Sequence, residues 1–134
     1  MLLALVDGCI EPPPPTTIEL ANDTALDVRP NLYVSGSATD AAGLFVGANL
    51  ITDFTDRPFP ELRSRETAVL TLECDQIQSV GVRRSVVYDA ATMTVTRWDD
   101  QIFLRQDTDF TCGATVRFVF FTDADVFHVR VEYP

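Results

Sequence analysis

Phe110-Thr-Cys-Gly-Ala-Thr-Val-Arg-Phe-Val-Phe-Phe-Thr122, then Asp123-Ala-Asp125, then Val126-Phe-His-Val-Arg-Val-Glu-Tyr133, is the stretch that decides the fold class. In an extended chain Phe110, Cys112, Ala114, Val116, Phe118 and Phe120 fall on one side, opposite Thr111, Thr115 and Arg117, which gives the first run an apolar face to bury. The second run repeats the period of two. Phe127, Val129, Val131 and Tyr133 lie on one side of it, and His128, Arg130 and Glu132 on the other, facing water. Between the two runs, Thr122-Asp-Ala-Asp125 is short and polar enough to close a hairpin.

Upstream of this pair, turn-formers alternate with short runs rich in Val, Thr, Phe and Tyr, and no helical apolar period is sustained. The pattern predicts strands at 17–20, 32–37, 44–52, 67–74, 78–88, 92–98, 110–122 and 126–133, with one helical turn at 40–43. Residues 55–65, which include Pro58 and Pro60, read as a loop or an edge crossing. Short strands at this spacing imply an all-β sandwich or barrel. A chain of 134 residues has room for one such core, spanning 16–134 behind a leading segment at 1–15.

Twenty acidic residues face ten basic ones, all of them Arg, for a formal net charge of −10. That surface repels phosphate backbones and anionic headgroups, so nucleic-acid binding and electrostatic membrane docking are both disfavoured. No run of apolar residues is long enough for a membrane-spanning helix.

Parity places Cys74 with Leu70 and Leu72, away from Thr71 and Glu73, while Cys112 lies on the Phe-rich face. Both thiols are therefore expected in the core, joined as an inter-sheet disulfide. Zinc would require more ligands than three Cys and one His supply, and a pair of inert buried thiols would suit a cytosolic protein. The third cysteine, Cys9, follows Met1-Leu-Leu-Ala-Leu-Val-Asp-Gly8 and precedes Ile10, Glu11 and the prolines at 12–15. This stretch resembles the end of a bacterial lipoprotein signal peptide, and the resemblance implies lipidation at Cys9 followed by a polyproline tether. It places the domain outside the cytoplasm, in the periplasm or at the cell surface, held to the membrane by a lipid anchor alone. The other reading of these residues is a frayed N-terminal strand with Cys9 a spare thiol.

Ser85-Val-Val-Tyr-Asp-Ala-Ala-Thr-Met-Thr-Val-Thr96, then Phe103-Leu104, then Asp107-Thr-Asp-Phe-Thr111 is similar to the bacterial Ig-like domains of S-layer and other cell-surface proteins. Asn22-Asp-Thr-Ala-Leu-Asp-Val28 with Pro30 resembles their opening segment. The resemblance implies an Ig-like antiparallel β-sandwich of roughly 7–8 strands with a structural, spacing or adhesive role and no catalytic residues. Independently of it, Asp89 is suited to accept backbone hydrogen bonds across a reversal, with Thr92 leading into the next strand.

Catalytic chemistry has little to build on. A Ser-His-Asp arrangement would have to use His128, and no Gly-x-Ser-x-Gly elbow exists. Paired carboxylates at Asp53/Asp56, Asp99/Asp100, Asp107/Asp109 and Asp123/Asp125 read first as solvated turns. A calcium site at one end of the sandwich would draw on Asp107, Asp109, Asp123 and Asp125, although no Asp-x-Asp-x-Asp-Gly loop is present; otherwise no cofactor is implied. Trp98 and Tyr88 are candidates for a contact surface toward a sugar or a protein, or else packing. Asn22-Asp-Thr24 matches a glycosylation triplet and reads as an ordinary turn. The expected function is a non-catalytic, envelope-tethered module that pairs with envelope or surface proteins through an edge strand or through the extended segment 16–21. The alternative is a calcium- or glycan-binding surface domain.

Overall fold

The structure, a computed structural model, describes residues 13–55, 61–98 and 101–134. Among these the strands are β1 (Thr16–Asp23), β2 (Asp27–Arg29), β3 (Leu32–Ser35), β4 (Thr67–Leu72), β5 (Ser79–Arg83), β6 (Val86–Asp89), β7 (Thr94–Arg97), β8 (Gln101–Arg105), β9 (Thr115–Asp123) and β10 (Val126–Glu132). A helical turn, α1 (Ala41–Leu44), is capped by the Asp40 side chain, which accepts from Gly43 N–H at 2.9 Å. The fold is a β-sandwich. A four-stranded sheet, β10-β9-β1-β4, packs on a layer formed by two three-stranded sheets, β2-β6-β7 and β3-β5-β8. One apolar core lies between them: Ile18, Leu20, Leu70, Val116, Phe118 and Phe120 from the first layer meet Val28, Leu32, Val80, Val82, Val87 and Leu104 from the second.

The terminal hairpin forms as its alternation predicts. β10 pairs antiparallel with β9, and Ala124 and Asp125 turn the chain with φ of 51° and 64°. That left-handed pair matches the twist of the strands it joins. The β6–β7 reversal likewise uses Asp89, whose carboxylate accepts from Ala91 N–H at 3.0 Å.

Four expectations need correction. Residues 44–52 are not a strand: Leu44 and Phe45 turn inward from α1, and a 3-10 turn at Gly47–Asn49 follows, leaving only an isolated bridge from Leu50 to Tyr33. A short apolar run carries no period by which to tell these apart. Residues 78–88 are two strands, β5 and β6, because Arg84 adopts a φ of 54°. Strand β9 begins at Thr115, since Gly113, at a φ of 87°, turns the chain after Cys112. The fold is not wholly antiparallel either: β1 runs parallel to β9 while pairing antiparallel with β4. Parallel partners are joined by long connections and leave no local signature. Segment 16–21 is therefore the middle of the four-stranded sheet, paired on both sides, and is not available to a neighbouring molecule.

The second layer is three long strands, each broken at the same level. Pro30 and Asn31 separate β2 from β3, and they face three residues, 83–85, on the partner strand. A two-against-three mismatch of this kind is a bulge, and it bends the strand. Here side chains hold it: Asn31 donates to Arg84 O at 2.7 Å and Ser85 to Pro30 O at 2.6 Å, while Trp98 N–H donates to Ser85 O at 2.8 Å.

Cys74 and Cys112 are bonded, with Cα atoms 5.4 Å apart and 38 positions between them in sequence. Both are half-buried rather than pointing into the core. Cys74 opens the 3-10 turn that carries the chain from β4 to the second layer, and Cys112 lies in the connection returning it to β9. The bond thus ties together the two crossings between layers at one end of the sandwich. Thr16, the fully buried first residue of β1, sits beneath it: its hydroxyl accepts from Gly113 N–H at 3.0 Å and lies 3.8 Å from Cys74 Sγ.

At the other end of β1, Asn22 is buried and fully hydrogen-bonded. Its amide donates to Leu26 O (2.7 Å), Arg63 O (2.9 Å) and Leu62 O (3.2 Å), and its oxygen accepts from the Thr24 N–H and hydroxyl. The triplet at 22–24 is a turn whose Asn is enclosed. Asn22→Ala removes three donated and two accepted hydrogen bonds from a side chain that is 2% exposed, and should cost about 3 kcal/mol, read as a lower urea midpoint at unchanged slope. Asn22→Asp, though nearly the same shape, sets a carboxylate against those carbonyls and should cost at least as much. The chain-entropy relation puts the loss from paired Cys74→Ser and Cys112→Ser changes at about 4 kcal/mol, measured by the same titration against the oxidised wild type.

Candidate functional site

A sheet edge presents a row of unpaired N–H and C=O groups, and soluble proteins cover it or charge it. On one side of this sandwich the chain covers its own edges. Thr55 N–H donates to Val69 O at 2.8 Å and the Thr55 hydroxyl accepts from Thr71 N–H at 2.9 Å, closing β4. Leu62 exchanges both backbone hydrogen bonds with Val28 at 2.8 Å, closing β2, and Ile51 N–H donates to Leu32 O at 2.9 Å beside β3. The reading of 55–65 as an edge crossing holds for its described residues; residues 56–60, with Asp56, Pro58 and Pro60, lie outside them.

The opposite side is open. β7 pairs only with β6, β8 only with β5 and β10 only with β9, and no other described backbone group bonds the outer edges of β7 or β10. The apolar side chains on this side are exposed: Met93 at 76%, Val95 at 61% and Val126 at 54%. Four strands here face three. The inner face of β10, carrying Phe127, Val129 and Val131, is consequently only half-buried.

Between the layers on this side lie two adjoining hollows of about 460 and 420 Å³ that share Thr96, Asp125 and Phe127. Leu26 and Val87 floor the first, Trp98 and Val126 flank the second, and Thr94 and Thr122 are among the first's lining residues. Together they form one groove along the free edge of β7.

The structure separates the other candidate residues. Val87 pairs with Thr96 and faces the core, so alternation puts Trp98 inside as well, packed against the core and lining the groove. Tyr88 pairs with Val95 on the outer face, with its hydroxyl 3.4 Å from Met93 Sδ. Trp98 and Tyr88 are therefore not one contact surface. Asp107 and Asp109 lie in the turn before β9, where Asp109 accepts from Arg105 N–H at 2.8 Å, whereas Asp123 and Asp125 follow β9. Strand rise across β9 puts about 26 Å between the pairs. Among the described residues no three of His, Cys, Asp or Glu gather closely enough to hold a metal ion. Cys9 and the Asp99/Asp100 pair lie outside the described residues.

His128 stacks on Phe121, with ring centroids 5.4 Å apart, and makes no described bond to a Ser or an Asp. Arg130 covers the same ring at 4.7 Å. Beside them on the outer face of the four-stranded sheet, Arg117 bridges Glu19 (2.7 Å) and Glu132 (3.2 Å), and Arg130 reaches Glu132 at 2.8 Å. Hydrogen bonds from Arg130 and Arg117 hold the Glu132 carboxyl below its usual range. This ladder spends its charges on itself. It is a solvated face.

Fold and site together define a disulfide-tied β-sandwich with one side left open. No protein-family model matches the chain, and no curated protein matches it. A solved structure similar to it is the T6SS lipoprotein TssJ1 from Pseudomonas aeruginosa, at 17% identity, covering 92% of this chain and 99% of that one with a TM-score of 0.42. No described helix is long and apolar enough to cross a membrane.

The four candidate carboxylates fall in two separate pairs, and among the described residues no three His, Cys, Asp or Glu side chains gather to hold a cation such as calcium. Millimolar calcium should leave the melting temperature within about 1 °C of that in magnesium at equal ionic strength; a calcium-specific rise abolished by Asp107→Ala or Asp123→Ala would contradict this.

Proposed function

We propose that this chain is a non-catalytic, envelope-tethered β-sandwich module, an accessory or structural subunit of a cell-surface assembly that docks its neighbour through the open side. The observation that carries the reading is the asymmetry of the edges: Leu50, Ile51, Thr55 and Leu62 close one side with their own backbone, and the other keeps free edges, exposed apolar side chains and a groove. A domain with no partner has reason to close both sides.

The tether is the second support. The prolines ending at Pro15 lead into β1 beside the disulfide, where Pro14 lies against Gly113. A chain anchored upstream, at Cys9, is held by that end and presents the far end, with Asp89 and Asp125, away from the membrane. The half-buried cysteines fit the same compartment, since a disulfide near the surface persists where the surroundings are oxidising.

Two measurements in native cells test this. Intact mass should show a diacylglyceryl adduct on Cys9 and fractionation should recover the chain with membranes, with Cys9→Ala releasing it; an unmodified Met1 start in the soluble fraction would refute the tether. A photo-crosslinking residue at Val95 should yield defined adducts with an envelope protein, whereas the same residue at Thr71 on the closed side should yield at least tenfold less. Equal labelling at both positions, or none at either, would refute docking through the open side.

A further inference from the structure

The groove has the shape of an absent strand. In the four-stranded sheet β10 is the outermost strand on the open side, and among the described residues the second layer has no strand beyond β7 and β8 to cover it. Phe127 is left half-covered for this reason, and the two hollows occupy the space beside β7 and above β10. Whatever fills that space must also satisfy the free N–H and C=O groups of β7, and only an extended backbone does both.

Charge narrows the occupant further. Asp89 and Asp125 line the groove and Asp123 stands beside it; none makes an ion pair among the described residues, whose ion pairs use Asp23, Glu19, Glu61 and Glu132 instead. Among the described residues of the lining Arg97 is the one Arg, at the Trp98 end. A second copy of this chain would set the same carboxylates against each other between molecules that each carry a net charge of −10. A segment with cationic side chains meets the opposite sign.

Resting on the reading that the open side is the docking side, we propose that a partner protein completes the second layer in trans. The partner supplies one extended segment that pairs with β7. Its apolar side chains alternate inward onto Leu26, Val87, Phe127 and Trp98, and a Lys or Arg reaches Asp89 and Asp125.

Trp98 is the single tryptophan of the chain and lines the groove, so its fluorescence reports occupancy directly. The test fuses the probe strand Arg-Val-Thr-Ile-Thr-Val-Arg to Pro134 of the full chain through a Gly/Ser linker of about ten residues, which raises its effective concentration to the millimolar range. The fused strand should shift Trp98 emission to the blue and raise the melting temperature by about 4 °C or more. The same strand with Pro at its centre, which removes a backbone donor, should do neither. Replacing both Arg by Glu, or introducing Asp89→Arg with Asp125→Arg, should remove most of the gain. Arg- and Glu-flanked strands acting equally would overturn the cationic specificity. No response to any fused strand would overturn strand completion itself, and a positive Val95 crosslink would then leave the docking side standing. If the unfused chain dimerises in sedimentation with a blue shift of Trp98, a second copy occupies the edge and the proposal fails.

Discussion

Everything in this sandwich is arranged around β1. The strand pairs with β4 on one side and β9 on the other, and the β9 pairing is parallel, joining Thr17 to Thr115 across most of the chain. Such a contact is entropically expensive to close, and parallel strands have no hairpin to help them. The disulfide is placed where it shortens that closure: Cys74 lies just past the end of β4 and Cys112 just before β9, so the bond straddles the start of β1 and ties the chain leaving one neighbour to the chain entering the other. At the far end of the same strand Asn22 gathers the carbonyls of Leu26, Leu62 and Arg63, locking the turn into β2 and the segment that caps the β2 edge. Covalent and polar clamps thus sit at opposite ends of one strand.

The second layer answers a different constraint. Three strands must cover a twisted sheet of four, and they bend to do it, at Pro30-Asn31 and at Arg84-Ser85. Left-handed Asn31 and Arg84, on neighbouring strands, are pinned by the Asn31 side chain, so the kink is a property of the layer and not of one strand. Bending brings Val28, Val82, Val87 and Leu104 onto the core but does not create a fourth strand. Coverage runs short at one place, over β10, which is where the groove lies.

How far the sequence showed this depends on the distance over which each signal acts. The β9–β10 hairpin, the Asp89 turn and the Asp40-capped turn at α1 are local, and each was legible from alternation or from one turn residue. Cysteine parity named the right pair, yet it put both thiols in the core, because it carried β4 past Leu72 into the 3-10 turn at Cys74 and carried β9 back through Gly113, whose positive φ no alternation reveals. The place of β1 in the middle of its sheet was not legible, since neither Thr16 nor Ala21 carries any mark of what lies beside it; this is why the segment looked available for pairing. Trp98 and Tyr88 were both legible as aromatic candidates, and parity across β6 and β7 would have set them on opposite faces had the break at Arg84 been visible. Open and closed edges are set by which strand each loop passes, and that information is entirely tertiary.

An open edge in a β-sandwich is a hazard unless something keeps identical copies apart. Here β7 is four residues long, which limits what a misplaced strand gains by pairing with it, and Asp89 and Arg97 bracket it with charge. The excess of acid over base does the rest: Asp123 and Asp125 stand at the mouth of the groove without described ion pairs, so two copies meeting edge to edge bring these carboxylates together. The ladder of Glu19, Arg117, Glu132 and Arg130 neutralises its own face and leaves this imbalance where the edges are free. The carboxylates that repel a second copy attract a cationic strand, so one charge pattern both keeps the edge vacant among like molecules and selects what enters it.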